Sequence, residues 1–198
     1  PLSEEWLRIF HKNGYQGTMQ LNKKLVYHTA LVLGGGGAHG AYQIGVWQAL
    51  KEHNIQFEII TGTSVGALNG ALILQGDMEK AVGLWKKLST RQVLALPEMA
   101  DVEDLRERFY QERRQMTKTA LVEGGVSSAP LEKLVKENLD LSLLKYNSKI
   151  RLYTVSTKLP ELAEVVTAIQ QTKTEEIPDW ILASASFYPA MAYRKIGK

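Results

Sequence analysis

Residues 57–74 read FEIITGTSVGALNGALIL. The apolar residues Phe57, Ile59 and Ile60 predict a short buried strand. They run into Thr61-Gly62-Thr63-Ser64-Val65-Gly66, and a small-residue helical pattern follows, with Ala67, Gly70 and Ala71 among Leu68, Leu72 and Ile73. Strand, sharp turn and helix is the setting in which G-x-S-x-G marks a nucleophile elbow. The turn is expected to lift the Ser64 hydroxyl clear of the sheet edge. Gly62 and Gly66 leave room for it, because a Cβ at either place would crowd the turn. The new helix aims its free N–H groups and positive dipole end at Ser64, which favours developing negative charge there. The plainer account is a chance match, since Gly and Ser are common; the flanking elements favour the nucleophile.

A second glycine-bearing turn precedes the first. Residues 27–33, YHTALVL, are mostly apolar, as a buried parallel strand should be. Gly34-Gly35-Gly36-Gly37-Ala38-His39-Gly40 follows at once, and a helix is predicted from near Ala41, with Ile44, Trp47 and Leu50 on one face. A glycine run between strand and helix exposes backbone N–H groups to an anion. Two functions use that device. One is dinucleotide binding, since residues 35–40 match G-x-G-x-x-G. The other is an oxyanion hole for acyl transfer. A turn needing glycine only for its shape is the third account, and four consecutive glycines are an entropically costly way to build one.

Taken together, the two turns favour the oxyanion hole. Consecutive strand-to-helix units place both turns at the carboxyl edge of one parallel sheet, and a right-handed crossover makes them neighbours if the strands pair. A dinucleotide site has no use for the Ser64 turn. It also wants an acid near the end of the second strand, whereas Glu58 is expected inside it.

The base that would activate Ser64 is harder to find. His11, His28, His39 and His53 all precede Ser64, so the order Ser, acid, His of common α/β-hydrolases is excluded. His39 lies in the glycine loop but has no evident carboxylate partner, and His53 reads as a helix-end residue. A Ser–Asp pair becomes the natural alternative.

The ordered motifs GGGAHGAYQIGVWQAL (residues 35–50) and GTSVGALNGA (residues 62–71) closely resemble those of patatin-like phospholipases. The segment ASASFYP (residues 183–189) resembles the stretch before that family's second catalytic residue. The likeness runs from about residue 27 to residue 198 and is weak between residues 77 and 150. It implies a three-layer α/β/α sandwich with a mainly parallel sheet, and serine-dependent hydrolysis of acyl esters in membrane lipids, needing no metal or cofactor. It assigns the oxyanion motif to Gly35, Gly36, Gly37 and Gly40, and the nucleophile to Ser64, with Gly62 and Gly66 as motif glycines. Two departures stand out. His39 occupies a place where the family often carries Arg or Lys. The family's aspartate lies in an Asp-Gly turn, and no Asp here is followed by Gly. After Ser64 the candidates are Asp77, which reads as an N-cap, Asp101 and Asp104 in a charged segment, Asp140 in a loop, and Asp179 in a helical first turn. None is a natural base. The resemblance therefore places the catalytic Asp beyond Lys198, in a chain truncated before it. A nucleotide-phosphate-binding α/β module, or a non-catalytic fragment of the hydrolase, remain the alternatives.

Composition bounds the partners. With 198 residues, 44% hydrophobic and 23% charged, one soluble globular domain is expected. Residues 1–26 read as an N-terminal helix and linker, with Trp6, Leu7, Ile9 and Phe10 apolar, and residues 27–198 as the hydrolase domain. A net charge of +3 is too small to argue for nucleic acid. The absence of Cys excludes disulfides and thiolate metal sites and fits a reducing compartment. The expected location is cytoplasmic, with peripheral contact on a membrane and a phospholipid or other acyl-ester lipid as the substrate partner. Residues 101–118 predict a charged helix, and residues 128–139 a helix with Leu131, Leu134, Val135 and Leu139 on one face, placed as a cap over the crevice. Residues 149–157 and 161–169 predict a hairpin, and residues 175–188 a last helix, in which Ser184 and Ser186 read as packing residues.

Overall fold

The computed structural model describes residues 29–89, 92–95 and 125–197, together with residues 111, 114 and 118. The expected N-terminal helix, most of the charged segment around Asp101 and Asp104, and residues Tyr27, His11 and His28 lie outside the described residues. The chain forms β1 (Ala30–Leu33), α1 (Gly40–Glu52), β2 (Ile59–Thr63), α2 (Val65–Gln75) and α3 (Met78–Lys87). It continues with α4 (Ala129–Asn138), α5 (Leu141–Tyr146), β3 (Arg151–Lys158), β4 (Ala163–Ala168) and α6 (Ile177–Ala185). The strands form one sheet in the order β1-β2-β3-β4. The first two pairings are parallel, and β3 with β4 is the antiparallel hairpin. The α/β class and mainly parallel sheet read from the sequence hold.

Helix α2 is the centre of the packing. Nine of its residues are buried, from Val65 to Leu74. A helix buried on nearly every side belongs inside a domain, and α2 lies against β1, β2 and β3 while touching α1, α3 and α6. Its small residues set the spacing: a Cβ on Gly70 would stand 2.9 Å from Leu152 Cδ1 and 3.0 Å from Ile60 Cγ2. Leu33, Ile60, Leu152, Ile44, Trp47 and Ile181 share the main core with it. A smaller core joins α4 to α6 through Leu131, Val135, Leu182, Ala185 and Met191.

Several boundaries differ from the sequence reading. Strand β2 continues through Thr61, Gly62 and Thr63, because these pair with β3 opposite Tyr153, Thr154 and Val155. Glu58 sits just before β2, not within it. Asp140 is the N-cap of α5 rather than a loop residue, accepting from the Leu143 N–H at 2.9 Å. Asp77 caps α3 as expected, accepting from Lys80 N–H at 2.9 Å. The last helix ends at Ala185, so Phe187 and Tyr188 leave it. Ser128 is the N-cap of α4 by position but makes no capping bond; the Ser127 hydroxyl accepts from the Ala129 N–H at 3.3 Å instead.

Candidate active site

The two glycine-bearing turns lie side by side. Parallel pairing sets Leu33 opposite Gly62, so β1 and β2 discharge their next residues at the same sheet edge. A Cβ placed on Gly35 would be 3.3 Å from Ser64 Cβ and 3.9 Å from Ser64 Oγ. Ser64 is half-buried and has φ 57° and ψ −125°, a conformation that costs a non-glycine residue about 1–3 kcal/mol. Such strain persists only where the surroundings impose it. Here the imposing parts are the strand behind and the helix ahead. A Cβ on Gly62 would be 2.3 Å from Gly66 O, and one on Gly66 would be 2.2 Å from Leu33 O. Strand end, turn and helix start are therefore packed backbone on backbone, with no space for a side chain.

The Ser64 amide is held from a distance. Ser64 N–H donates to the Ser184 hydroxyl at 2.9 Å, and that hydroxyl donates to the Val155 carbonyl. Ser184 thus fastens the bend to α6 and β3. It also removes the Ser64 N–H from the set of free donors. Sequence reading passed over Ser184 as a packing residue. The signal available was a hydroxyl in the apolar second half of the helix, which needs a partner when it faces the interior.

In the glycine loop, Gly36 and Gly37 have φ 147° and 54°, which suit glycine. The Gly36 carbonyl accepts from the His39 N–H at 3.1 Å and lies 3.0 Å from His39 Nδ1. A trans peptide points its C=O and N–H in opposite directions, so the Gly37 N–H faces away from His39. Among the described residues, no hydrogen bond engages the N–H of Gly36 or Gly37. His39 is therefore a support of the loop, and it makes no bond to Ser64. Gly40 begins α1 against Val65, where a Cβ would lie 2.4 Å from Val65 Cγ2.

A cavity of about 1010 Å³ opens beside Ser64, Gly36 and Gly37. Its walls include Leu68, Leu72, Leu84, Leu131, Leu134 and Val135. The apolar face predicted for residues 128–139 thus borders the crevice. Phe187 and Met191 also line it, the former 75% exposed.

No described carboxylate reaches Ser64. Asp77 and Asp140 cap helices, and Asp179 pairs with Arg194 at 3.4 Å. His53 is the C-cap of α1, as expected. Among the described residues no cluster of His, Asp or Glu could hold a metal ion.

Comparison with known proteins gives the following matches. A family model described as patatin-like phospholipase covers residues 31–198. A stretch of 62 residues is 52% identical to lysophospholipase nte1 of Aspergillus terreus, covering 31% of this chain and 4% of that protein. A stretch of 77 residues is 54% identical to patatin-like phospholipase domain-containing protein 7 of Mus musculus, covering 37% of this chain and 6% of that protein. The chain thus matches only a small part of the length of these curated relatives. Among solved structures, VipD from Legionella pneumophila shares the fold with a TM-score of 0.51 at 19% identity, over 83% of this chain and 43% of that one.

Proposed function

We propose that this chain, which belongs to the patatin-like phospholipase family, is a serine-dependent lipid acyl hydrolase with Ser64 as its nucleophile. The observation that carries the reading is the contact between the strained Ser64 turn and the glycine loop at the mouth of a leucine-lined cavity. Ser64 Oγ attacks the ester carbonyl as its proton passes to an aspartate, the base of a Ser–Asp dyad. The oxyanion is met by the N–H groups of Gly36 and Gly37, with the amino end of α2 adding its dipole. Gly35 shapes the loop against Ser64. The protonated base then returns its proton to the leaving alkoxide, and water, activated by the same carboxylate, frees the acid from the acyl-enzyme. Asp77, Asp140 and Asp179 are committed elsewhere in the fold, so they are not proposed for this role.

An apolar cavity suits an acyl chain better than the phosphates and ribose of a nucleotide, which argues against the binding-module reading. Membrane phospholipid or another acyl-ester lipid is the proposed substrate, reached by peripheral contact. Among the described residues no helix is long and apolar enough to cross a membrane.

The test is hydrolysis of acyl esters of graded chain length by the natural full-length protein and by its Ser64→Ala variant. The expected result is hydrolysis lost by at least about a thousandfold in the variant, with a fluorophosphonate adduct mapping to Ser64 in the unaltered protein. Hydrolysis that persists in Ser64→Ala, or an adduct on another serine, overturns the assignment.

A further inference from the structure

Asn69 is the one polar side chain of α2 that is fully buried, at 0% exposure, in a helix otherwise made of small and aliphatic residues over its buried positions. A buried amide is costly unless its donors and acceptor are used. Those of Asn69 are. Trp85 Nε1 on α3 donates to Asn69 Oδ1 at 2.9 Å. Asn69 Nδ2 donates to Gln43 Oε1 on α1 at 2.8 Å and to Gly40 O at 2.9 Å. Gln43 Nε2 then donates to the Gly34 carbonyl at 2.8 Å.

The direction of this relay is fixed at both ends. An indole N–H only donates, and a backbone carbonyl only accepts. With Trp85 at one end and Gly34 at the other, each amide between them can be oriented in one way alone. The terminal acceptor matters because the Gly34 carbonyl shares a peptide plane with the Gly35 N–H. Gln43 fixes the Gly34–Gly35 plane as His39 fixes the Gly36–Gly37 plane. Three helices thereby hold the loop that abuts Ser64.

We propose that Gln43 and Asn69 are positioning residues for the oxyanion loop, acting as one relay that starts at Trp85 and ends on the Gly34 carbonyl. The proposal rests on the hydrolase reading for its effect on rate, but its structural half stands apart from that reading. Asn69→Asp keeps the volume and still accepts from Trp85. It loses the NH2 group that serves both Gln43 and the Gly40 carbonyl, and a carboxylate there draws the Gln43 NH2 away from the Gly34 carbonyl. Gln43→Met removes the link outright at a half-buried position.

The experiment compares the full chain, Gln43→Met, Asn69→Asp and the double variant, each at a temperature where unfolding is negligible. In the first arm, hydrolysis of a soluble ester by the natural full-length protein and the same variants of it is resolved into kcat and KM. Each single variant is expected to lower kcat by about ten- to a hundredfold, the scale of a misplaced catalytic group, with KM changed less than threefold. The double variant is expected to be no slower than the worse single one, since residues acting in one relay are not additive. Asp140→Ala, the loss of the α5 cap, serves as the destabilised control and should keep the original kcat. A second arm needs no activity: in 15N-glycine spectra the Gly35 amide resonance should move in both single variants while that of Gly76 stays. An unmoved Gly35 resonance in Gln43→Met overturns the proposal, as does unchanged kcat or an additive double variant. If the natural full-length protein shows no Ser64-dependent hydrolysis but Gly35 moves as expected, the hydrolase reading fails and the relay stands. Should Asn69→Asp not fold, Gln43→Met decides both arms.

Discussion

Gly66→Ala is the sharpest perturbation of the site that removes no functional group. A Cβ there would lie 2.2 Å from Leu33 O, 2.7 Å from Leu33 C and 2.9 Å from Gly34 O. These are backbone atoms, so no side chain can swing aside. Reaching ordinary van der Waals separation needs a retreat of about 1 Å. Overpacking of this kind costs about 1–3 kcal/mol, and the rigid neighbours put this case at the upper end. Alanine's better helix propensity returns up to about 1 kcal/mol, leaving a net loss of about 2 kcal/mol. At roughly 2–4 °C per kcal/mol for a domain of this size, the melting temperature should fall by about 4–8 °C. The retreat also moves the glycine loop away from Ser64, and a 1 Å displacement is worth about a hundredfold in rate. Gly45→Ala is the matched control. It lies inside α1 with nothing within 4 Å of its added Cβ, so it should gain about 0.5–1 kcal/mol and leave the rate alone. Thermal unfolding and ester hydrolysis of the two variants give four numbers. If Gly66→Ala matches Gly45→Ala in stability, the backbone contact is not what the distances say. If it matches in rate, the loop's placement does not govern catalysis.

Three further outcomes follow from the same geometry. Ser64→Gly relieves a φ of 57° and should raise stability by about 1 kcal/mol while abolishing hydrolysis; chemical denaturation showing a less stable variant would deny the strain. Ser184→Ala strands the Ser64 N–H and the Val155 carbonyl, with an expected loss of about 1–3 kcal/mol and a lower kcat, to be read from denaturation and steady-state kinetics. Glu132 on α4 accepts from Lys136 and from Arg194, which hold its carboxyl below the usual range in that order of importance. A folded-state value below the unfolded one means that the stabilisation is complete above the unfolded value and is lost as pH falls through the folded one. Stability measured from pH 7 downward should therefore decline below about pH 4.5, and Glu132→Gln should flatten that part of the curve; parallel curves would remove Glu132 from the account.

The parts legible in the sequence were those made by neighbours in the chain. The Ser64 bend, the glycine loop and the hairpin of β3 and β4 each close within a few residues, so residue type alone exposes them. The extension of β2 through Thr61 to Thr63 was not legible. Gly and Thr look like turn residues there, and only their pairing with β3 makes them strand. The Ser184 contact spans 120 residues, and Asn69 finds Gln43 across 26. A serine or asparagine in an apolar helix announces that it needs a partner, but nothing local says which one. The early end of α6 at Ala185 has a similar cause, since Phe187 and Met191 turn toward the cavity and not along the helix.

The order of the strands across the sheet repeats their order along the chain, and this has a kinetic meaning. β1 meets β2 through one short crossover, and β3 meets β4 through a turn, whereas β2 meets β3 only after the whole segment from Ser64 to Ile150 has been looped out. Closing the longer loop costs the most chain entropy, so the two halves of the sheet are expected to form early and their union to limit the rate. Ser64 and the glycine loop belong to the first half, while the serine that ties down the bend arrives with the second. Refolding monitored by pulse-labelled amide exchange should find protection at Ile59, whose N–H faces β1, before protection at Ser64.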